Sequence, residues 1–318
     1  MIKVGIAGAD SEVAGELLRL CLNHPDVDVV TAYAPGYAGR PVGSVHHGFI
    51  GEERILFTSN FDATALDVAF LIRGLYSESD WVKLMADRPQ LKLILFPDSL
   101  TPGMTEAFAP VYGLSEMNRK PLVRGARVAV VPRVLASPLL VALYPLARHL
   151  MLRGNVEVEV SAPADVTTEE MCQSAAMEVG RELQRVQTSF NGEVIIRIGT
   201  TPPSSRSLKL SLCLPCSSNL EEVVKVYDSI YDDHNFTYVV THPVTPAEVE
   251  GSNKEVIAVS KPDADTLRLE VVADPRMRGG AAEALHIMNL LFGLHEKTGL
   301  NLKVCAWSNP GSAEGEKK

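Results

Sequence analysis

The stretch MIKVGIAGADSEVAG, residues 1–15, decides the fold. Ile2, Val4 and Ile6 alternate along it, which is typical of a short buried strand, and Gly8 closes that strand. Leucines then recur with helical spacing over residues 17–22, and a second apolar strand follows at residues 27–34. A strand, a glycine turn, a helix and a second strand form a βαβ unit, so the chain is predicted to open with a parallel sheet.

The remainder of the chain shows two patterns. Apolar runs at residues 68–72, 91–96 and 128–131 alternate with helical stretches and extend the parallel sheet. Later runs alternate with period two, at residues 156–160, 194–198, 208–214 and 267–271, which is typical of strands that bury one face. Helices are predicted at residues 221–231 and from Gly279-Gly280 up to Gly293. The polar tail from Ser308 is predicted to be disordered.

These patterns predict an α/β protein with two domains. The first is a Rossmann-like, doubly wound parallel sheet, and the second is an α+β domain with a mixed or antiparallel sheet. The first domain is predicted to take residues 1–134 and 279–318, and the second residues 135–278. At 318 residues, the chain is long enough to give each domain its own core.

The composition argues against several classes of partner. A formal net charge of −9 disfavours binding to nucleic acid or to an anionic membrane surface. No apolar run reaches the ~18 residues of a membrane span, and no signal peptide is seen, so a cytoplasmic protein is expected. The five cysteines form no disulfide-like framework, which fits a reducing compartment. Cys213 and Cys216 form a C-x-x-C without a second pair, so we expect buried small hydrophobes and no metal site.

The glycine turn is poorly suited to a pyrophosphate. In a dinucleotide-binding fold, the backbone N–H groups of this turn approach the phosphates, and glycine is needed where they come closest. Gly8 can make the tight turn, but Ser11 brings a Cβ to the place of closest approach. Asp10 and Glu12 would face the phosphates, and each like-charge pair at ~4 Å costs roughly 1–4 kcal/mol. The same residues suit a helix start, with Asp10 or Ser11 as N-cap and Glu12 against the helix dipole.

The second strand ends without the usual anchors for the rest of a dinucleotide. Ala34-Pro35-Gly36 supplies no acid for a ribose and no arginine for a 2′-phosphate, and Arg40 is the nearest cation. Gly8, Ser11 and Arg40 are therefore the candidate cofactor contacts of this region. The binding that they predict is weak.

Three motifs give the chain a family resemblance. They are the βα opening with YAGRP at residues 37–41, VYGLSEMNR at 111–119, and a C-terminal series that contains MNLLFGL at 288–294. With these motifs at their expected spacings, the sequence resembles N-acetyl-gamma-glutamyl-phosphate reductase, a relative of the aspartate-semialdehyde dehydrogenases. The resemblance implies acyl transfer to a cysteine, an acid/base histidine and hydride transfer from NADPH. It implies NADP(H) as cofactor, with Gly279 and Asn289 among its contacts.

The residues that this chemistry needs are absent from the matching positions. The family's cysteine lies in NPGCYPT, and the matching residues 131–137 read VPRVLAS, with Val134 in the place of the nucleophile. The family's histidines lie in HRHTPEI, and residues 173–179 read QSAAMEV, with Gln173 and Ala175 in their places. Valine cannot form an acyl-enzyme, and Ser137 has no neighbouring histidine to activate it. No catalytic residue is assigned, and the chain is predicted to be a pseudoenzyme.

Other interpretations stay open. An active reductase could use a relocated thiol, for which Cys172 is the candidate, although nearby carboxylates would raise its pKa. A different NAD(P)-linked reaction could take its base from His46, His47 or His234, although isolated surface histidines are the simpler expectation. Asn289 could face a cofactor or could bond a neighbouring loop.

The resemblance also predicts assembly. The family associates through the sheet of its second domain, so a homodimer or homotetramer is expected. A small-molecule ligand and an active paralogue are the other candidate partners, whereas nucleic acid and membranes are not.

Overall fold

The computed structural model describes residues 1–51, 54–200 and 205–304. Its first sheet has seven parallel strands in the order β3-β2-β1-β4-β5-β7-β6, which confirms the predicted parallel sheet. The strands are β1 (Ile2–Ala7), β2 (Val27–Tyr33), β3 (Phe57–Thr58), β4 (Val68–Leu71), β5 (Lys92–Leu95), β6 (Val111–Tyr112) and β7 (Val128–Val130). The strand order reverses between β1 and β4, so a crevice opens beyond the carboxyl ends of these two strands.

Both faces of the first sheet are covered. The connecting helices are α1 (Glu12–Leu22), α2 (Glu78–Asp87), α3 (Pro102–Phe108) and α4 (Ser115–Val123). Successive strand residues point to opposite faces, so Phe70 of β4 packs in one core with Leu17 of α1, and Leu71 packs in another with Trp81 of α2. Strands buried on both faces read as continuous apolar runs, which is why the sequence revealed them.

The second sheet has six strands in the order β11-β12-β13-β10-β8-β9. They are β8 (Val156–Ser161), β9 (Val194–Ile198), β10 (Leu208–Pro215), β11 (Thr237–Val240), β12 (Glu255–Ser260) and β13 (Thr266–Ala273). The sheet is mixed, as predicted, because two strand pairs are parallel and three are antiparallel. Helices α5 (Ala136–Arg148), α6 (Glu169–Val186) and α7 (Leu220–Tyr231) cover one face, and the inward residues of the strands pack against them.

The chain returns to the first sheet near its end. Helix α8 (Ala281–Leu291) packs against α1, and Leu285 and Met288 join the core that α1 shares with that sheet. The division at residues 134 and 279 stays a prediction. Residues 305–318 lie outside the described residues, and with them Cys305 and the tail predicted from Ser308.

The sequence did not predict β3, β6, β11 or β12. Strand β12 reads EVIAVS, and a segment with Val244 and Val249 covers its second face, so the strand is apolar on both sides and lacks alternation. The expectation that Cys213 and Cys216 are buried was wrong, because Cys213 is exposed on the outer face of β10 and Cys216 is half-buried.

Metal-ligating side chains and membrane-spanning helices would each point to a class of function. No cluster of three or more metal-ligating side chains is found in the described part of the chain. Over the same residues, no helix has both the length and the apolar character needed to cross a membrane.

Candidate functional site

A cavity of about 180 Å³ opens beyond the carboxyl ends of β4 and β5. Its walls come from α1, from the ends of β4 and β5, from the turn at residues 132–135 and from α6. Val134 and Ala175 both line it, so the positions matched to the family's nucleophile and acid/base histidine meet in space. Gln173, matched to the other histidine, is exposed and is not among the lining residues. Two of the three matched positions thus line one cavity, whose apolar character the sequence did not predict.

Gly279 holds the turn that carries Val134. It has a φ of +66°, and a Cβ there would lie 2.7 Å from the Cα of Val134, so only glycine fits this position. Gly279 also lines the cavity, where it was predicted to contact a cofactor. Ser137 is fully buried, and its Oγ donates to Glu283 Oε2 at 3.0 Å. Its hydroxyl is thus hydrogen-bonded to Glu283, and Ser137 is not among the residues that line the cavity.

A second support of the same turn is polar. Glu178 of α6 is buried, and its Oε1 accepts from the Tyr112 hydroxyl at 2.6 Å and from the Arg133 backbone N–H at 3.1 Å. Burial raises the pKa of Glu178 despite these donors. Sequence reasoning missed this bridge, although Tyr112 and Glu178 stand in two of the matched motifs. Their spacing along the chain gave no sign that they touch.

A buried charge cluster lies behind the turn. Arg278 contacts Glu116 of α4, Glu255 of β12 at 3.1 Å and Glu283 of α8 at 3.6 Å. All four side chains are at most 2% exposed. One guanidinium therefore connects helices that pack with the first sheet to a strand of the second.

The three carboxylates of this cluster have different pKa values. Burial acts to raise the pKa of Glu116, but the charges of Arg278 and His234 outweigh it and lower the pKa to about 2. Burial raises the pKa of Glu255 and of Glu283, and the charge of the one shared arginine does not offset it. The site therefore favours the charged form of Glu116 and disfavours that of Glu255 and Glu283.

The start of helix α1 satisfies its own polar groups. Ser11 is the N-cap, and its Oγ accepts from the Ala14 N–H at 3.4 Å and donates to the Gly8 carbonyl at 2.9 Å. Of the two predicted caps, Ser11 is thus the one used. Glu12 lies in the first turn, 3.4 Å from Arg276, which also contacts Asp165 at 2.8 Å. Ser11 therefore caps the positive end of the helix, and Arg276 is paired with two carboxylates of the chain itself.

An ion pair spans the crevice between β1 and β4. One guanidinium nitrogen of Arg73, just after β4, lies 2.9 Å from both carboxylate oxygens of Asp10, just after β1. Arg73 also crowds Gly8, which has a φ of +82°: a Cβ on Gly8 would lie 3.0 Å from the Arg73 Cγ. A dinucleotide crosses a doubly wound sheet at this crevice. Sequence reasoning missed Arg73, although its place after a parallel strand was a usable signal.

The other two predicted cofactor contacts, Arg40 and Asn289, have different surroundings. Arg40 is exposed, and its guanidinium carbon lies 5.9 Å from the centre of the Tyr37 ring. Asn289 is fully buried, where its amide nitrogen donates to the carbonyls of Glu296 at 3.2 Å and Thr298 at 2.8 Å. Its oxygen lies 3.0 Å from His24 Nε2. Of the two roles considered for Asn289, the bond to a neighbouring loop is the one seen.

The alternative nucleophile and bases are not at the cavity. Cys172 is buried in the core of the second sheet, and burial, then the charge of Glu169, raise the pKa of its thiol. His46 is not an isolated surface residue, because its Nε2 lies 2.7 Å from the Ala9 carbonyl and its ring packs on Gly15. His47 is exposed, and His234 lies 3.8 Å from Asp233. None of these side chains lines the cavity.

Comparison with known proteins places this geometry in a family, although no model of a known family matches the chain. N-acetyl-gamma-glutamyl-phosphate reductase of Parabacteroides distasonis is 31% identical over 330 residues, which is 96% of this chain and 100% of that protein. Aspartate semialdehyde dehydrogenase II of Vibrio cholerae, complexed with ASA, has a similar fold, with a TM-score of 0.63 at 17% identity over 92% of this chain and 99% of that one. Aspartate semialdehyde dehydrogenase of Candida albicans, with NADP, gives a TM-score of 0.62 at 13% identity over 92% and 98%. The chain belongs to the N-acetyl-gamma-glutamyl-phosphate reductase family.

Proposed function

We propose that this chain is a non-catalytic member of its family, which keeps the fold and the cleft but does not transfer the acyl group. The observation that supports this most is the cavity, where Val134 and Ala175 stand at the positions matched to the nucleophile and the acid/base histidine. Neither side chain can attack a carbonyl carbon or move a proton. The direct test is turnover of the acyl phosphate by the purified protein, and none is expected.

A relocated nucleophile is the weaker alternative. Cys172 packs in the core of the second sheet, with only 3% of its surface exposed, and it is not among the residues that line the cavity. The thiolate is the reactive form of cysteine, and burial beside Glu169 disfavours it. Ser137 is fully buried, its hydroxyl donates to the buried Glu283, and it is not among the residues that line the cavity.

The residues present do not fit NADP(H), the cofactor that the family resemblance implies. Asp10 places a carboxylate where a pyrophosphate would lie, and its partner Arg73 ties the two loops together across the crevice. The helix start that would receive the phosphate is capped by Ser11. At the end of β2, Arg40 is directed to Tyr37. No step of a reaction is therefore assigned to the cofactor in this chain.

NADPH is expected to bind with a dissociation constant well above the low-micromolar range in titration calorimetry. Asp10→Asn removes the carboxylate that repels the pyrophosphate and releases Arg73 as a free cation. It is therefore expected to tighten NADPH binding by about tenfold or more, because one like-charge contact at ~4 Å costs roughly 1–4 kcal/mol.

Asp26→Asn is the matched control for this experiment. It makes the same change in net charge at an exposed position at the opposite end of the first sheet, just before β2. It should leave NADPH binding unchanged. Low-micromolar or tighter binding by the wild-type protein would refute the proposed loss of the cofactor site. Equal gains from both substitutions would assign the effect to net charge instead of to the crevice.

We also propose that the protein forms a homodimer or homotetramer through the outer face of its second sheet. Strands β8, β9, β10 and β13 present alternating polar side chains on this face, opposite the face that α5, α6 and α7 cover. Charges of both signs lie side by side there, with Lys209 3.0 Å from Glu270 and Arg197 3.5 Å from Glu157. In a twofold-symmetric dimer the same surface of both subunits meets, so the positive charges of one copy can face the negative charges of the other.

Light scattering at micromolar concentration is expected to give the mass of a dimer or a tetramer. Cys213→Arg places a long cation on the exposed centre of the outer face and is expected to lower the mass to that of the monomer. Ser229→Arg, the matched control, adds the same charge at an exposed position of α7 and should not change the mass. A monomeric wild type would contradict the proposal, and so would a Cys213→Arg variant that keeps the wild-type mass.

A further inference from the structure

The cavity at Val134 is mostly apolar. Nine of its twelve lining residues have apolar side chains, among them Val13, Ile72, Phe96, Val134, Met171 and Ala175. Its volume of about 180 Å³ is slightly larger than that of an apolar cavity of about 150 Å³ that is known to stay dry and to bind benzene. The space is therefore sized for one small ring or a short branched chain.

The charged groups at its rim are already paired. Arg133 lies 3.3 Å from Asp98 and 3.4 Å from Glu178, so one cation faces two carboxyl groups. The positive end of helix α1 is capped by Ser11 and faces Glu12. A carboxylate or phosphate placed in the cavity would find no free cation among the residues that line it, and it would approach Asp98. An uncharged ligand meets no such cost.

We propose that this cavity binds a small, uncharged, apolar molecule or group of about six to ten non-hydrogen atoms. This inference rests on the proposed function, because it requires that the site no longer holds an acyl phosphate. Transfer of such a ligand from water to an apolar wall is favourable without any specific hydrogen bond. The wall belongs to α1 and the first sheet on one side and to α6 on the other. Occupancy therefore favours the arrangement in which these elements enclose the ligand.

The test is a titration of the full chain with toluene, followed by NMR of protein labelled with ¹³C at its methionine methyl groups. Met171 lines the cavity, whereas Met177, six residues further along the same helix, is 70% exposed. The Met171 signal is expected to shift in a saturable way with a dissociation constant of about 1 mM or tighter. The Met177 signal should stay in place. Benzoate, the same ring with a carboxylate, is expected to bind at least about tenfold more weakly.

Ala175→Leu fills the cavity from α6 and is expected to weaken toluene binding by about tenfold or more. Gln173→Leu adds a leucine to the exposed side of the same helix and should leave the binding unchanged. An unshifted Met171 signal, tighter binding of benzoate, or an unaffected Ala175→Leu variant would each overturn the inference. The same preparation is assayed for reductase turnover: absence of both binding and turnover refutes this inference alone, whereas turnover refutes the proposed function beneath it.

Discussion

The purified protein is expected not to reduce N-acetyl-gamma-glutamyl phosphate, and Val134→Cys alone is expected not to restore the reaction. Loss of a covalent nucleophile typically lowers kcat by about 10⁴–10⁶, and substitutions within one catalytic unit are strongly non-additive. The new thiol would share its cavity with Ala175, so no imidazole would activate it. NADP reduction with the semialdehyde and phosphate, the reverse reaction, measures turnover of both proteins.

Val134→Ala is the matched control, because it alters the cavity without adding a thiol. Alkylation at position 134, located by peptide mass, is expected only in the cysteine variant, and it separates access to the site from turnover. Wild-type turnover within about a hundredfold of a typical ~10 s⁻¹ would refute the non-catalytic function. Turnover by Val134→Cys alone would show that one residue silences the reaction and that the loop and α6 are otherwise competent.

Arg278→Met is expected to lower the free energy of unfolding by about 3–5 kcal/mol at pH 7, because it leaves buried carboxylates without their shared cation. Those carboxylates belong to Glu116, Glu255 and Glu283. Urea unfolding followed by circular dichroism measures the change. Arg278→Lys keeps the positive charge but loses the planar guanidinium, so it should lower the free energy of unfolding by less than Arg278→Met. If the methionine variant does not fold, the lysine variant is measured in its place.

The loss caused by Arg278→Met is expected to shrink as the pH falls. In the wild type, the pKa of Glu116 is lowered to about 2, so this group contributes stability above pH ~4.5 that is lost as the pH falls towards 2. Without the arginine, burial raises the pKa of Glu116 instead. The folded variant then binds more protons than its unfolded chain above pH ~4.5, and its stability falls as the pH rises. The difference from wild type should therefore be larger at pH 7 than at pH 4.5.

Arg276→Met serves as the control for both measurements. Its guanidinium is partly exposed and pairs with the exposed carboxylates of Glu12 and Asp165, so its removal should cost about 0–1 kcal/mol. That cost should vary little between the two pH values. An equal cost for both arginines, or a loss at Arg278 that is independent of pH, would contradict the assignment of a shared buried cation.

Local pattern predicted much of this fold. Strands of the first sheet are apolar on both faces, and those of the second alternate, so β1, β4, β8 and β10 could be placed from residue spacing alone. Strand β12 was missed because a covering segment buries its outer face and removes the alternation. Strands β3 and β6 have two residues each, which is too few for a pattern of apolar and polar residues to be recognised.

The candidate site was predictable only where it follows a motif. The places of Val134 and Ala175 came from matched stretches of sequence, and the structure brings them to one cavity. Arg73 pairs with Asp10 across 63 positions, and Arg278 meets Glu116 across 162. A single sequence can place such a residue at the end of a strand, but it does not identify its partner, because charge complementarity between distant residues depends on the fold that brings them together.

The turn at Val134 has a consequence for protein engineering. Gly279 packs closely against the backbone of Val134, and the hydrogen bond from the Arg133 N–H to Glu178 holds the preceding residue. Helix α5 begins two residues after Val134. Designed catalysts most often fail because the groups around a new reactive residue leave it loose by about 1 Å. Position 134 is held from several directions beside a mostly apolar cavity. The chain is thus a ready host for an artificial nucleophile, with Ala175 opposite it as the place for a designed base.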